Sequence, residues 1–206
     1  MNQLIKDLIS SGYLKTPEII EAFLKIDRAD FVPPELKTQA YLNTPLPIGF
    51  GQTISQPLTV AFMLELLQPK AGDKVLDIGS GSGWQTALLA YIVEKGGGRV
   101  FAMEIIPELI SFGRKNVFKY SFIKRKTVKF YCLNAIKGLP EEAPFDKIIS
   151  AAASKEIPPA WKGQLNIGGR IVAPVKDAIH LLIKTKDKEF EKKIYPGFAF
   201  VPFVEG

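Results

Sequence analysis

A Rossmann-like α/β fold, with a mostly parallel, doubly wound sheet, is predicted by three observations. The first is the stretch 74–104: an apolar run Lys74–Ile78, a turn punctuated by Gly79, Gly81 and Gly83, a helix-length apolar segment Trp84–Lys95, and a second apolar run Arg99–Met103 ending in Glu104. The second is that strand and helix patterns keep alternating beyond it, which implies parallel pairing through crossover helices. The third is the change of character near the C-terminus. His180–Lys186 and Ile194–Phe203 read as strands with no room for a crossover helix between them, so they should add antiparallel strands to one edge.

Before the glycine-rich unit the chain reads as helical. Asn2–Leu14 and Pro17–Ile26 have helical patterns, the second with Thr16 as N-cap and Pro17 in the first turn, where its missing N–H is harmless. Phe31–Pro34 interrupts, and Glu35–Tyr41 predicts a short helix. Asn43–Pro57 holds three prolines and two glycines and is expected to be mostly loop, after which Pro57 opens a helix through Leu67. Beyond Glu104, Pro107–Tyr120 reads as helix, and Thr127–Leu133, Asp146–Ala151 and Gly169–Val175 read as strands. A single domain over 1–206 is expected, with 1–56 as a helical extension carrying a loop and 57–206 as the α/β core. No internal repeat or low-complexity segment is visible.

Composition bounds the function. With 206 residues, 47% of them hydrophobic, the chain can bury one substantial core but hardly two. One cysteine, Cys132, excludes an intramolecular disulfide, and one histidine, His180, leaves no His-based metal cluster, so no metal site is expected. Met1–Leu14 carries Lys6 and Asp7 and lacks an apolar h-region, so it does not read as a signal peptide. No uncharged run reaches the roughly 18 apolar residues of a membrane span. A cytoplasmic location follows as the default, and a monomer is expected.

The glycine spacing discriminates between cofactors. A dinucleotide fingerprint needs G-x-G-x-x-G, whose last glycine packs the helix while the helix N-terminus faces a pyrophosphate. Here the series is G-x-G-x-G and Trp84 stands in the place of that last glycine. Asp77, two residues before the first glycine, would repel a phosphate and attract a cation. S-adenosylmethionine, with an adenosine, a sulfonium, an ammonium and no phosphate, suits these residues better. Glu104, 21 residues after Gly83, can accept both ribose hydroxyl protons.

Three segments resemble one family, the protein-L-isoaspartate O-methyltransferases: PLPIGFGQTISQP (Pro45–Pro57), VLDIGSGSGWQTALLA (Val75–Ala90), and GLPEEAPFDKIISAAA (Gly138–Ala153) continuing to Gly168–Val175. The ending Phe200-Val201-Pro202-Phe203 is similar too, so the resemblance spans nearly the whole chain. The glycine-rich segment is common to many methyltransferases, whereas G-x-G-Q-T-I-S-Q-P is particular to this family. The resemblance implies methyl transfer from S-adenosylmethionine to the free α-carboxylate of L-isoaspartyl residues in damaged proteins and peptides. The ester then cyclises spontaneously to a succinimide, whose hydrolysis returns some normal aspartate. It also implies that Ser55 donates a hydrogen bond to the substrate carboxylate, with Thr53 and Ile54 framing the pocket. A serine there could instead cap the helix beginning near Pro57. For the cofactor, Gly79, Ser80, Gly81 and Ser82, followed by Gly83, would pass the methionine and ribose, Asp77 would sit beneath the amino-acid end, and Glu104 would hold the ribose. Asn134 would meet the adenine. The chain departs from the family pattern at Leu133-Asn134-Ala135, where Gly-Asp-Gly is usual, and at Leu42, where an acidic residue is usual.

The net charge of +6 carries a rival reading. Arg114, Lys115, Lys119, Lys124, Arg125, Lys126 and Lys129, interleaved with Phe118, Tyr120 and Phe122, resemble a surface for RNA. Helix lysines are more often a solvated face and such aromatics core. With no RNA-binding module evident, nucleic acid is disfavoured as a partner.

Overall fold

A computed structural model describes residues 3–203. Its centre is a seven-stranded sheet in the order β5-β4-β3-β6-β7-β8-β9. The strands are β3 (Lys74–Ile78), β4 (Arg99–Glu104), β5 (Val128–Cys132), β6 (Phe145–Ser150), β7 (Leu165–Val175), β8 (Ala178–Lys186) and β9 (Glu189–Pro196). β5 through β7 are mutually parallel, and β8 and β9 complete the sheet as antiparallel hairpin strands. β3 is buried almost throughout because parallel neighbours and covering helices leave neither face to water. The order reverses beside β3, where a crevice opens at the carboxyl ends of the strands.

The crossover helices are α4 (Trp84–Glu94) and α5 (Pro107–Phe118), and α3 (Pro57–Leu67) leads into β3. α3 and α4 are apolar on most sides, which suits helices packed between the sheet and further chain. That further chain is α1 (Gln3–Ser10) and α2 (Pro17–Lys25), whose buried Leu4, Ile5, Leu8, Ile19, Ala22 and Phe23 share one core with α3, α4 and the sheet. Asn2, placed in the first helix by its pattern, lies outside the described residues.

Several expectations are corrected. Thr16 does not cap α2 with its side chain; its hydroxyl donates instead to Glu65 Oε2 at 2.7 Å, so tertiary bonding has displaced the local cap. The segment predicted as a short helix is a 3₁₀ turn, Pro34–Gln39. The supposed loop 43–57 contains a two-stranded ribbon, β1 (Leu46–Gly49) and β2 (Gln52–Ile54), turned through Gly49, Phe50 and Gly51, all at positive φ. A short helix α6 (Pro159–Gly163) was not foreseen.

The last strand lies earlier than its predicted position. β9 is a polar edge strand, masked in the sequence by its charges, and Pro196-Gly197 ends it. The aromatic tail then packs inward: Phe198 stacks on Phe62 at 5.3 Å, and Phe203 meets Trp161 edge-on at 6.0 Å.

Candidate active site

At the crevice beside β3 lies a cavity of about 360 Å³, of the size that takes a small ligand. Two loops face each other across it. On one side is the glycine turn after β3. The Gly79 and Ser80 amides both donate to Met103 O, at 2.9 and 3.0 Å, folding the turn back onto β4. Gly81 N donates to Glu104 Oε2 at 3.0 Å, while Glu104 Oε1 accepts from Ile105 N at 2.8 Å and Ile106 N at 3.1 Å. One carboxylate at the end of β4 therefore fixes both the turn and its own loop, and stays on the cavity wall.

On the other side are Thr53, Ile54 and Ser55, carried by β2 and its exit. The helix that follows is not capped by Ser55: Gln56 holds the N-cap position, and the orphan amide of Leu58 donates to Asn43 Oδ1 at 3.0 Å. Asn43 thus does the capping, and Ser55 takes its place on the cavity wall.

Nine of the residues singled out in the sequence line this one cavity: Thr53, Ile54, Ser55, Gly79, Ser80, Gly81, Ser82, Glu104 and Asn134. Asp77 and Gly83 stand behind the wall. Asp77 is fully buried, accepting from Gln85 Nε2 at 2.8 Å and Thr86 Oγ1 at 2.5 Å, both in the first turn of α4. Burial pushes its carboxyl up to about 6, opposed by these two bonds and reinforced by the charge of Glu104. It ties β3 to the helix that carries the turn and makes no wall of its own.

Gly83 adopts φ +83°, and a Cβ there would meet Val117 Cγ2 at 2.8 Å and Gly113 O at 3.0 Å. The close-packing glycine that the spacing denied to position 84 is therefore Gly83.

Sequence reasoning missed Gln56, Thr59 and Val60 at the start of α3, Ile105 and Ile106 after Glu104, and the tail 199–203. Gln56 lies within the motif loop, whereas the ending Phe200–Phe203 carries a family likeness that names no role. An Ala153–Pro202 bridge and a hydrogen bond from Ala153 N to Val201 O at 2.9 Å seat the tail against the end of β6.

The chemistry of the wall suits a nucleoside carrying polar groups. Ser80 Oγ and Trp84 Nε1 are buried in cavity-lining residues without a hydrogen-bond partner among the described residues, a costly arrangement unless a ligand supplies acceptors. Glu104 offers one carboxylate lone pair, on Oε2, beyond the three its amides use.

Three of the seven basic residues in this stretch are held in ion pairs. Lys119 pairs with Asp30 at 3.2 Å, Arg125 with Glu94 at 2.6 Å and Lys129 with Glu142 at 3.0 Å. Phe122 is core, and Tyr120 bonds Asp30, leaving Phe118 as the exposed ring.

The family model for Protein-L-isoaspartate(D-aspartate) O-methyltransferase (PCMT) matches residues 1–206. The chain belongs to the protein-L-isoaspartate O-methyltransferase family. A protein-L-isoaspartate O-methyltransferase of Methanopyrus kandleri is 43% identical over 206 residues, covering 98% of this chain and 90% of its own length. One from Flavobacterium psychrophilum is 42% identical over 207 residues, covering 99% and 93%. The crystal structure of a Plasmodium falciparum protein-L-isoaspartate O-methyltransferase in complex with S-adenosyl-L-homocysteine superposes with a TM-score of 0.87 over 98% of this chain and 97% of that one. At 24% identity it speaks for the shared methyltransferase fold.

Proposed function

We infer that the chain transfers a methyl group from S-adenosylmethionine to the free carboxylate of L-isoaspartyl residues in peptides and proteins, with Ser55 at the carboxylate and the glycine turn and Glu104 at the cofactor. The observation that carries this reading is that the motif loop Thr53–Ser55 and the Glu104-anchored turn share one cavity.

S-adenosylmethionine, when bound, supplies an electrophilic methyl group on a sulfonium. Glu104 would hold the ribose hydroxyls, Ser80 and Trp84 would donate to the polar end, and Asn134 would border the adenine. The substrate carboxylate, with an ordinary pKa near 4, is ionised at neutral pH, so no general base has to activate it. What remains is orientation. Holding a carboxylate oxygen in line with the methyl–sulfur bond is worth roughly 7–11 kcal/mol through orientation and avoided solvent reorganisation. The Ser55 hydroxyl, on a loop anchored at both ends, is suited to that task. The apolar tail 199–203 lines the site, where an apolar wall would strengthen each polar contact by displacing water.

No helix among the described residues is long and apolar enough to cross a membrane. Action as a single-domain monomer in the cytoplasm completes the reading, which gel filtration and fractionation test. The decisive experiment is methyl transfer from isotopically labelled S-adenosylmethionine to paired peptides differing only in L-isoaspartate or L-aspartate at one position. Labelling of the isoaspartyl peptide alone is the expected result. Cofactor binding without labelling of either peptide would overturn the substrate assignment and redirect attention to nucleic acid or to a non-catalytic role.

A further inference from the structure

Arg28 is 3% exposed, yet its guanidinium is engaged by backbone carbonyls, not by a carboxylate. Nη1 donates to Ala40 O at 2.8 Å and Leu42 O at 3.2 Å. Nη2 donates to Thr44 O at 2.9 Å and Ser55 O at 3.1 Å. The last pair matters most, because Thr44 and Ser55 are the two ends of the segment that holds the β1–β2 ribbon and the cavity-facing Thr53, Ile54 and Ser55. One nitrogen therefore closes that loop at its neck. The same guanidinium lies over the Trp84 ring at 5.4 Å, so it also touches the residue that begins α4 and lines the opposite wall.

The base from which Arg28 reaches is itself fixed. It opens the 3₁₀ turn Arg28–Phe31, where Asp27 Oδ1 accepts from Ala29 N at 3.0 Å and Asp27 N donates to the Tyr120 hydroxyl at 2.9 Å. Lys119 Nζ donates to Asp30 O at 2.7 Å. The turn is thus tied to the end of α5.

We propose that Arg28 is a positioning residue for methyl transfer, clamping the neck of the substrate loop so that Ser55 is held against the cofactor side of the cavity. A mere structural filler would not need a charge. Burying a guanidinium is costly, and burial lowers its pKa to about 10, still cationic at neutral pH. What the cost returns is a rigid planar fork that reaches four carbonyls from one point, which neither an ammonium nor an amide can do. The fork fixes the loop before substrate arrives, so its ordering does not draw on substrate binding.

The test rests on the isoaspartyl reading for its kinetic arm and stands without it for its structural arm. Arg28→Lys keeps the charge and loses the fork; Arg28→Met loses both. Each is measured for S-adenosylhomocysteine affinity by calorimetry, for kcat and KM on an isoaspartyl peptide, and for amide hydrogen exchange.

Arg28→Lys should keep cofactor affinity within about threefold, while kcat falls about 30- to 100-fold, since a displacement near 1 Å at the reacting centre costs about that much. Exchange should quicken at least about tenfold in 40–55 and not in β3, β4 or α4. Unchanged exchange in 40–55, unchanged kcat, or equal losses of cofactor affinity and turnover would each overturn the clamp. If Arg28→Met does not fold, Arg28→Lys carries the test. If the wild type is inactive on the peptide, the isoaspartyl reading fails while the exchange arm still decides the clamp.

Discussion

Replacing Glu104 by Gln removes a charge and one acceptor without changing shape. In the wild type, Oε2 accepts from Gly81 N, and Oε1 from Ile105 N and Ile106 N. A glutamine has one oxygen and one NH2. If the oxygen faces Ile105 and Ile106, the NH2 opposes the Gly81 amide, donor against donor; reversed, it opposes two amides. The first orientation leaves one part-buried N–H unsatisfied and the second leaves two, at a cost of roughly 1–3 kcal/mol of stability for each. A bound ribose hydroxyl adds a charge-assisted bond to the lone pair left on Oε2, worth about 1.5–3 kcal/mol. Losing that bond should raise the cofactor dissociation constant about 10- to 150-fold, or roughly 1.5–3 kcal/mol. Calorimetric titration with S-adenosylhomocysteine and a thermal melt read the two effects separately. Affinity within threefold of wild type, with the melt lowered, would show that Glu104 braces the turn and does not hold ribose.

Ser55→Ala should depress kcat about 10- to 100-fold while cofactor affinity changes little, because one hydrogen bond to a charged group is worth about 1.5–3 kcal/mol; equal losses would remove Ser55 from its role. Gly113→Ala should weaken S-adenosylhomocysteine binding although Gly113 is not on the cavity wall, since its Cβ would sit 2.8 Å from Gly81 O and push the turn from behind. Calorimetry expects a loss near tenfold, on the order of 1.4 kcal/mol, and unchanged affinity would mean that the turn is insensitive to its backing. Asp77 titrates near 6 when folded against an ordinary value of 3.8. A raised carboxyl takes up its proton in the native state first. Its contribution is therefore fully present below about pH 4, is lost as pH rises through about 6, and amounts to roughly 3 kcal/mol. Asp77→Asn should flatten that part of the stability profile between pH 4 and 7 in denaturant titrations, and an identical wild-type slope would refute the assignment.

The parallel core was legible because β3, β4 and their helices obey local rules: apolar runs, glycine stops and an acid at a strand end are all short-range signals. The site was legible to the same extent. Nine candidates share the cavity wall because a strand–turn–helix unit and a motif loop each fix several neighbours at once. What the local signals leave out is tertiary. Nothing local announces that Asp77 points back into the first turn of α4, that Thr16 bonds Glu65, or that a tail of alternating aromatics leaves the ladder to close the pocket. β9 escaped because an exposed edge strand carries charges on both faces and reads as loop.

The altered turn at Leu133-Asn134-Ala135 shows how a motif departure can be absorbed. Glycines would be required there only for positive φ or close approach, and none of the three residues has a positive φ; the next positive φ is at Gly138, at +63°. Asn134 caps the following 3₁₀ turn, its Oδ1 accepting from Ile136 N at 2.9 Å, so it still performs the local work of an aspartate. Ala135 is buried, and its carbonyl takes a 2.7 Å hydrogen bond from Trp161 Nε1 on α6. The unforeseen helix α6 thus braces this turn from outside. Trp161→Phe keeps an aromatic ring, though a smaller one, and deletes that bond. It should therefore loosen the 133–136 turn and weaken S-adenosylhomocysteine binding severalfold in calorimetry, while unchanged affinity would mean that the Asn134 cap alone holds the turn.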